Sequence, residues 1–493
     1  MNKVYPLDSQ CNISGKIYIS NTNVFSCVLN QTDIKQNKNK FYVLQLIISN
    51  QDEKYYLFVR YGRIGETGRT KIKKFESISS AIDAFKKQFK AKTGNVWQDG
   101  QDENFVKKRG KYYLTDIQRD VKNDSDSDDD VPQQISKLDT RVQYLMELFS
   151  NKQTMENTLI DMCIDPQKIP LGKISIMQIE KANEILNKIK QKIKSMNEYD
   201  SSDDEYEEYN KKIIDLSSQY YTYIPYKCGR YKLPIINNND SLDKQYGMLD
   251  KLKHIAVTVK ILKKIDSSNE NPLDIMYNDL NTEIKPLEKN GKMWKHIERY
   301  IKNTHGPTHM FNETLVDIFE INRNDQDEYN KVSCNIDNKM LLWHGSRMVN
   351  YCSIFQKGLL LNPETTGAVI TGKMFGNGIY TASCVSKAIN YCAPNTSDGI
   401  VAMLLCEVAT GNQYECLKSE SNITMESLKK KHYNSTRGMG KYTPSKFTEV
   451  DNVLIPKGKL IETNISGELL YDEYIVYNHH QMIMKYLVLL QIQ

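Results

Sequence analysis

Three short stretches carry residue types that chemistry needs. WHGS at 343–346 sets a histidine beside a glycine and a hydroxyl. FGNGIYTASCVSKAINY at 375–391 offers two tyrosines, a lysine and a cysteine, and LLYDEYIVY at 469–477 places a carboxylate among apolar and aromatic neighbours. Strand alternation puts Glu473 on the same side as Leu469, Tyr471, Ile475 and Tyr477. A carboxylate on so apolar a face is costly unless a cation or a ligand meets it. In the middle stretch Ser383 can cap a short helix on which Cys384, Ala388 and Tyr391 share a face. Tyr380 ends the strand just before it, so two rings could flank one small slot. His344 is open to four roles: core histidine, base, metal ligand, or clamp for a molecule entering beside Gly345. Taken singly, each side chain has an ordinary packing explanation, and a histidine next to Trp343 is more often a hydrogen-bonded core residue than a catalyst.

Other motifs are weaker. GAVITGKM at 367–374 matches the G-x-x-x-x-G-K part of a phosphate loop, but Met374 stands where a hydroxyl must hold magnesium, and FGNG cannot open the helix that would cradle phosphate. GRIGETG at 62–68 reads as a strand-to-strand turn. His305 and His309 in HGPTH have i, i+4 spacing, yet Gly306 and Pro307 break the helix that would align them on a metal. The ten cysteines include no C-x-x-C pair, so they read as reduced thiols and structural zinc is not expected.

The elements that must position these residues follow from periodicity. From about 16 to 116 the pattern is strands and one helix: KFYVLQLII and KYYLFVRYGRIG read as paired strands. Ser80 and Asp83 form a capping-box-like start for a helix carrying Ile82, Phe85 and Phe89 on one face, with Gly94 as its stop. VKNDSDSDDDVPQQ is too charged to bury anything and reads as a flexible linker. Beyond it the apolar period becomes helical. Leu138, Val142, Leu145 and Phe149 follow Ser136; Ile179, Ala182, Leu186, Ile189 and Ile193 follow a capping box from Ser175 to Gln178; Met248, Leu252, Ile255, Val259 and Leu262 give a third stripe. Residues 135–265 therefore read as a helical bundle, with the acidic insert at 197–209 expected in a solvated loop. From about 270 onward short strands return in MLLWHGS, GIVAMLLCEVA and LLYDEYIVY.

A chain of 493 residues exceeds one ordinary core, so two to four domains are expected. With 40% hydrophobic and 26% charged residues it has a globular composition, and no apolar run approaches the roughly 18 residues that span a bilayer. MNKVYPLDSQ lacks the apolar core and cleavage site of a secretory signal, so an intracellular protein is expected. The net charge of +5 conceals two acidic runs, at 124–130 and 200–209, without which the rest is distinctly cationic.

The three stretches resemble the signature of the poly(ADP-ribose) polymerases, enzymes that transfer ADP-ribose from NAD to proteins. Their His-Tyr-Glu triad is matched by His344, Tyr380 and Glu473. SKLDTRVQYLMELF, IDPQKIPLGKIS and YYTYIPYKCGRYKLPIINN resemble the family's helical regulatory domain; KFYVLQL, RYGRIG and KTGNVW resemble its WGR domain. The resemblance runs over nearly the whole chain in the family's order. No zinc-finger or BRCT region precedes it, which points to the short DNA-dependent members.

The resemblance implies a multidomain α+β protein: a small β-rich WGR domain with one helix at 1–119, an acidic linker at 120–134, an all-α regulatory bundle at 135–265, and a mixed α+β ADP-ribosyltransferase catalytic domain at 266–493. It implies NAD as substrate and no metal. The implied partners are DNA with strand breaks and protein acceptors including the chain itself, with no membrane and a nuclear location. Gly345 would offer its backbone to the nicotinamide carboxamide, with Ser346 beside it. His344 would hydrogen-bond a ribose hydroxyl, and Tyr380 and Tyr391 would bracket the nicotinamide ring. Glu473, ionised at neutral pH, would bind the ribose 2′-hydroxyl, stabilise an oxocarbenium-like transition state and polarise the acceptor. Lys387 matches a family lysine near the donor and acceptor sites, and Asp250 an acidic residue near the donor site.

Tyr61, Gly62 and Arg63 stand for the family's Trp-Gly-Arg. The aromatic ring would pack on a DNA end, and Arg63 would connect DNA contact to the regulatory helices. RTKIKK, KKQFKAK and KKRGK suit phosphate contacts without base readout. The regulatory bundle would block NAD access until DNA breaks engage the first domain, and the acidic runs would accept automodification. The family serine that hydrogen-bonds the carboxamide is Ala388 here, a loss of about 0.5–1.5 kcal/mol. Lys373 and Asn377 also depart from the family pattern, which bears on acceptor preference and polymer length. Two alternatives stay open: transfer of a single ADP-ribose, and a DNA-end-binding scaffold with weakened catalysis.

Overall fold

The structure is a computed structural model and describes residues 3–20, 23–98, 105–115, 122–123, 135–162, 164, 176–197, 203–265, 270–361 and 374–493. Ser175, Lys373 and the phosphate-loop-like residues 367–373 lie outside these. The chain folds into two compact units: Met1–Pro132 with Leu159–Ala256, and Gln133–Thr158 with Val257–Gln493.

In the first unit the aromatic and branched run Lys38–Ser49 forms a long strand, antiparallel to Ser26–Asp33 on one side and Tyr55–Arg63 on the other. Arg69–Phe75 closes one edge, with Arg69 to Lys74 exposed. The expected turn at 62–68 joins these last two strands. Gly65 and Gly68 there have φ of 93° and 82°, and a Cβ on Gly68 would stand 2.7 Å from the Tyr61 carbonyl oxygen, so the turn closes only on glycine.

The helix that follows runs Ile78–Thr93 and buries Phe85 and Phe89 against Trp97. Its N-cap is Ser77, whose Oγ accepts from Ser80 N, so the expected start at Ser80 is three residues late and Asp83 lies inside the helix. Gly94, left-handed at φ 74°, is the stop as expected.

Helices Ile176–Asn197 and Asp203–Tyr223 belong to the same unit, as does Asn239–Ala256 of the long helix Asn239–Ile265. The stripe Ile179, Ala182, Leu186, Ile189 and Ile193 is buried throughout. Residues 203–209 are helical, which corrects the loop expected there. Acidic residues in a first turn favour the helix dipole, and Glu208 pairs with Lys212 one turn on at 2.5 Å. Of the acidic linker only 122–123 is described, paired with Lys3–Val4.

Among the described residues the second unit is built on an eleven-stranded sheet. Its middle runs in the order Met482–Ile492, Ile400–Ala409, Lys339–Gly345, Ile379–Ala382, Glu473–Val476, Ser435–Gly438. Alternation sorts the side chains to two faces. Met340, Leu342, Leu404 and Cys406 join one cluster with Val142, Leu145 and Phe149 of helix Thr140–Ser150. Leu341, Trp343, Met403 and Leu405 join another with Trp294, Ile297 and Tyr300 of helix Lys292–Asn303. Leu138 lies before the first of these helices, whose N-cap is Asp139.

LLYDEYIVY is not one strand. Leu469–Tyr471 pairs in a small three-stranded sheet with Gly440–Pro444, and Glu473–Val476 lies in the large sheet, with Asp472 between them. The single alternation expected from 469 to 477 therefore breaks at Asp472.

Candidate active site

The strand Lys339–Gly345 is anchored by fully buried Trp343, 5.1 Å from the Tyr300 ring, and brings His344 and Gly345 to its end. His344 Nδ1 lies 2.9 Å from the Tyr380 carbonyl oxygen. A carbonyl only accepts, so the ring proton sits on Nδ1 and Nε2 of the neutral imidazole is left as an acceptor. Burial pushes the imidazole pKa below its ordinary value, against a smaller opposing pull from that carbonyl.

Tyr380 lies in the neighbouring strand Ile379–Ala382. Its hydroxyl donates to the Gly376 carbonyl at 2.8 Å and accepts from Phe375 N–H at 3.1 Å, so the FGNG loop fixes the ring from its far end. The same strand pairs Ala382 with Glu473 and Tyr380 with Ile475, which places the triad on three adjacent strands.

Glu473 is buried, as its apolar neighbours require, and it has found a cation. Lys387 Nζ stands 2.9 Å from Glu473 Oε1 and donates to the Tyr471 carbonyl at 2.8 Å. Glu473 Oε2 is buried and has no hydrogen-bond partner among the described residues. One oxygen of the carboxylate is thus held and the other is an open acceptor, the arrangement a substrate hydroxyl would complete. Burial lowers the Lys387 pKa, against the upward pull of Glu473. Burial, and beyond it the Glu473 charge, raises the phenols of Tyr380 and Tyr391.

Lys387 and Ala388 sit on the short helix Val385–Ile389, whose N-cap is Cys384; Ser383 is not the cap that was expected. Tyr391 follows the helix and is 57% exposed, so it stands at the rim and not on a buried helical face with Cys384 and Ala388. A Cβ added to Gly345 would fall 1.9 Å from the Ala388 carbonyl oxygen, so strand end and helix touch with only glycine between them. Ser346 Oγ accepts from Asn350 Nδ2 at 3.0 Å.

The remaining candidates lie in the first unit. Tyr61 stacks on Tyr42 with centroids 5.9 Å apart, and Lys71 Nζ lies 5.7 Å over its ring. The Arg63 guanidinium donates to the carbonyls of Asn37 and Tyr231, each at 2.9 Å, to Asn37 Oδ1 at 2.8 Å, and to the Gly229 carbonyl. It is a strut between the sheet and the segment after helix Asp203–Tyr223. The neighbouring strand makes the same docking, with Asn39 Nδ2 donating to the Tyr226 carbonyl at 2.9 Å. Asp250 is on the long helix, 3.4 Å from His254 Nε2 one turn on; burial alone would raise its pKa, but the histidine holds it below the ordinary value.

Comparison with known proteins matches residues 292–492 to the poly(ADP-ribose) polymerase catalytic domain, 136–277 to the regulatory domain of the same polymerases, and 25–105 to the WGR domain. The chain is 34% identical over 507 residues to poly [ADP-ribose] polymerase 2 of Homo sapiens, covering 99% of this chain and 83% of that protein. The chain belongs to the poly(ADP-ribose) polymerase family. It is also 36% identical over 497 residues to poly [ADP-ribose] polymerase 1 of Gallus gallus, covering 98% of this chain and 47% of that one. To poly [ADP-ribose] polymerase 2 of Arabidopsis thaliana it is 34% identical over 482 residues, covering 94% and 72%. The chain thus spans about half the length of the polymerase 1 relatives it matches.

Two groups at this family site are missed by sequence reasoning. HGPTH is a turn, as expected, but the turn sets the His309 ring against Tyr471 at 5.0 Å and Nδ1 2.7 Å from Ser386 Oγ, beside Lys387. Buried Asp472, the residue before Glu473, forms an ion pair with half-buried Arg437 at 2.7 Å. The acidic pair in LLYDEYIVY was a signal for the second; nothing in the spacing signals the first. Among the described residues no three His, Cys, Asp or Glu side chains converge on a metal position, and no helix is long and apolar enough to cross a membrane.

Proposed function

We propose that this chain cleaves NAD at its nicotinamide glycosidic bond, transfers ADP-ribose to protein acceptors including itself, and elongates the chain in response to broken DNA. The observation that carries the reading is the half-satisfied Glu473 carboxylate, with Lys387 on one oxygen and none of the described residues on the other. Glu473 Oε2 would accept from the nicotinamide ribose 2′-hydroxyl, and the fixed negative charge would stabilise the oxocarbenium-like transition state. His344 Nε2 would accept from a second ribose hydroxyl, and the Gly345 backbone would hydrogen-bond the carboxamide. Tyr380 and Tyr391 would hold the leaving nicotinamide by its faces.

The reading extends to a DNA-contacting domain at 1–119, an acidic linker at 120–134, regulatory helices at 135–265 and a catalytic domain at 266–493, acting in a nuclear response to DNA damage. Support for the DNA contact comes from the WGR match and from the exposed lysines Lys71, Lys73 and Lys74 on the edge strand beside Tyr61. The test incubates purified protein with labelled NAD, with and without broken DNA, and resolves the products by size. Ladders that lengthen with DNA are expected. A single shift means mono-transfer, and no incorporation with retained DNA binding means a scaffold, the reading that Ala388 and Tyr61 motivate.

A further inference from the structure

Asp472 is 1% exposed and lies at the break between the two sheets, one residue before Glu473. A carboxylate so buried demands donors, and the described residues supply four. Gly440 N–H donates at 2.7 Å, Thr443 Oγ1 at 2.8 Å, Arg437 Nη2 at 2.7 Å and the Tyr474 hydroxyl at 3.4 Å. Gly440 and Thr443 belong to the small sheet, Arg437 and Tyr474 to the large one. The carboxylate therefore pins together the two segments between which the chain must turn. Arg437 is in turn held by Glu415, 3.4 Å from its Nη1, and lies 5.6 Å over the Tyr474 ring.

The consequence falls on Glu473. Its strand pairs with Ala382 on one side and with Gly438, the neighbour of Arg437, on the other. Lys387 binds both the Tyr471 carbonyl and Glu473 Oε1, so it is referenced to the residue just before Asp472. If Asp472 shifts, Tyr471 and Glu473 move relative to each other and the Lys387 bridge fails. The Arg437 charge also offsets that of Asp472, so the Glu473 carboxylate does not face an uncompensated like charge one residue away.

We propose that the ion pair between buried Asp472 and half-buried Arg437 is a positioning device for the Glu473 carboxylate, setting the rate of ADP-ribosyl transfer without contacting NAD. The inference rests on the function proposed above. Asp472→Asn, Arg437→Gln, Arg437→Lys and the double variant Asp472→Asn with Arg437→Gln are compared with wild type in the full chain with saturating broken DNA. The readouts are kcat, KM for NAD, the inhibition constant of nicotinamide, and the thermal midpoint.

Asp472→Asn and Arg437→Gln are expected to lower kcat by about tenfold or more, with KM and the nicotinamide constant within about twofold. Arg437→Lys keeps the charge and is expected to recover part of the loss. The double variant leaves no lone buried charge, so its loss should be smaller than the product of the two single losses. The double variant also serves where a single variant does not fold. Wild-type kcat in the double variant, or KM and the nicotinamide constant moving as far as kcat, overturns the proposal. Wild-type protein that consumes no NAD overturns the functional reading and the inference with it; active wild type with unchanged variants overturns the inference alone.

Discussion

Lys387 Nζ stands 2.9 Å from Glu473 Oε1, while Oε2 of the same buried carboxylate accepts no hydrogen bond among the described residues. Removing the lysine leaves the carboxylate buried without a cation, a change that costs about 3 kcal/mol or more. Lys387→Met is therefore expected to lower the urea midpoint clearly, and adding Glu473→Gln to restore most of it. Glu473→Gln alone is expected to abolish elongation, since the amide carries no charge to stabilise the transition state. Unchanged product ladders for that variant would refute the role given to Glu473.

His344 sets an acid limit. Its pKa in the folded state is depressed below the ordinary 6.5 by burial. The neutral ring therefore contributes stability that is fully present above pH 6.5 and is lost as pH falls through the folded value. Protonation also turns Nε2 from acceptor to donor. KM for NAD is expected to stay flat from alkaline pH down past pH 6.5 and to rise only as pH falls through the depressed folded value. His344→Gln should weaken NAD binding throughout and lose the acid-side rise; a persistent rise would assign it to another group.

The triad is legible in the sequence because each member lies in a short, distinctive local string, and the helical stripes are legible because burial follows their period, as at Ile179 to Ile193. What is not legible depends on distant partners. The break at Asp472 is made by donors on Arg437, Gly440 and Thr443, 29 to 35 residues upstream, which no alternation pattern registers. The resemblance gives Arg63 a link to the regulatory helices, but not its partners: the carbonyls of Gly229 and Tyr231 that its guanidinium meets lie more than 160 residues away. Residues 203–209 misread for another reason: their charge suggests solvated loop, yet acidic side chains at a helix N-terminus stabilise the helix.

Gly345 admits no side chain. A Cβ there would stand 1.9 Å from the Ala388 backbone oxygen, a clash that only movement of the helix Val385–Ile389 can relieve. Gly345→Ala is expected to cost about 1–3 kcal/mol of stability and to raise KM for NAD sharply. A thermal scan and initial rates at varied NAD check both; wild-type KM in this variant would mean that the helix moves freely.

Arg63 bridges Asn37, Gly229 and Tyr231 within the first unit. Arg63→Ala strips the donors from these acceptors and is expected to cost about 2 kcal/mol or more. Arg63→Lys should rescue little, because one ammonium cannot match the guanidinium fork. Thermal unfolding of the full chain reads the first effect, and the ratio of NAD consumption with and without broken DNA reads its functional consequence. An unchanged ratio in a destabilised variant would make Arg63 purely structural.

Ala388 is buried on the helix that touches Gly345, at the position where the family's serine donates to the nicotinamide carboxamide. Its methyl group supplies no hydrogen bond, so Ala388→Ser adds a donor at the proposed dock without adding charge. A neutral hydrogen bond of about 0.5–1.5 kcal/mol corresponds to a fall in KM for NAD of about two- to tenfold. If the bond forms equally in substrate and transition state, kcat stays constant while KM falls. The same variant decides between the elongating and single-transfer readings: longer ladders at fixed NAD would show that weak donor binding limits elongation. Tighter NAD binding with unchanged product length would instead place the limit on the acceptor side, at Lys387 and Glu473.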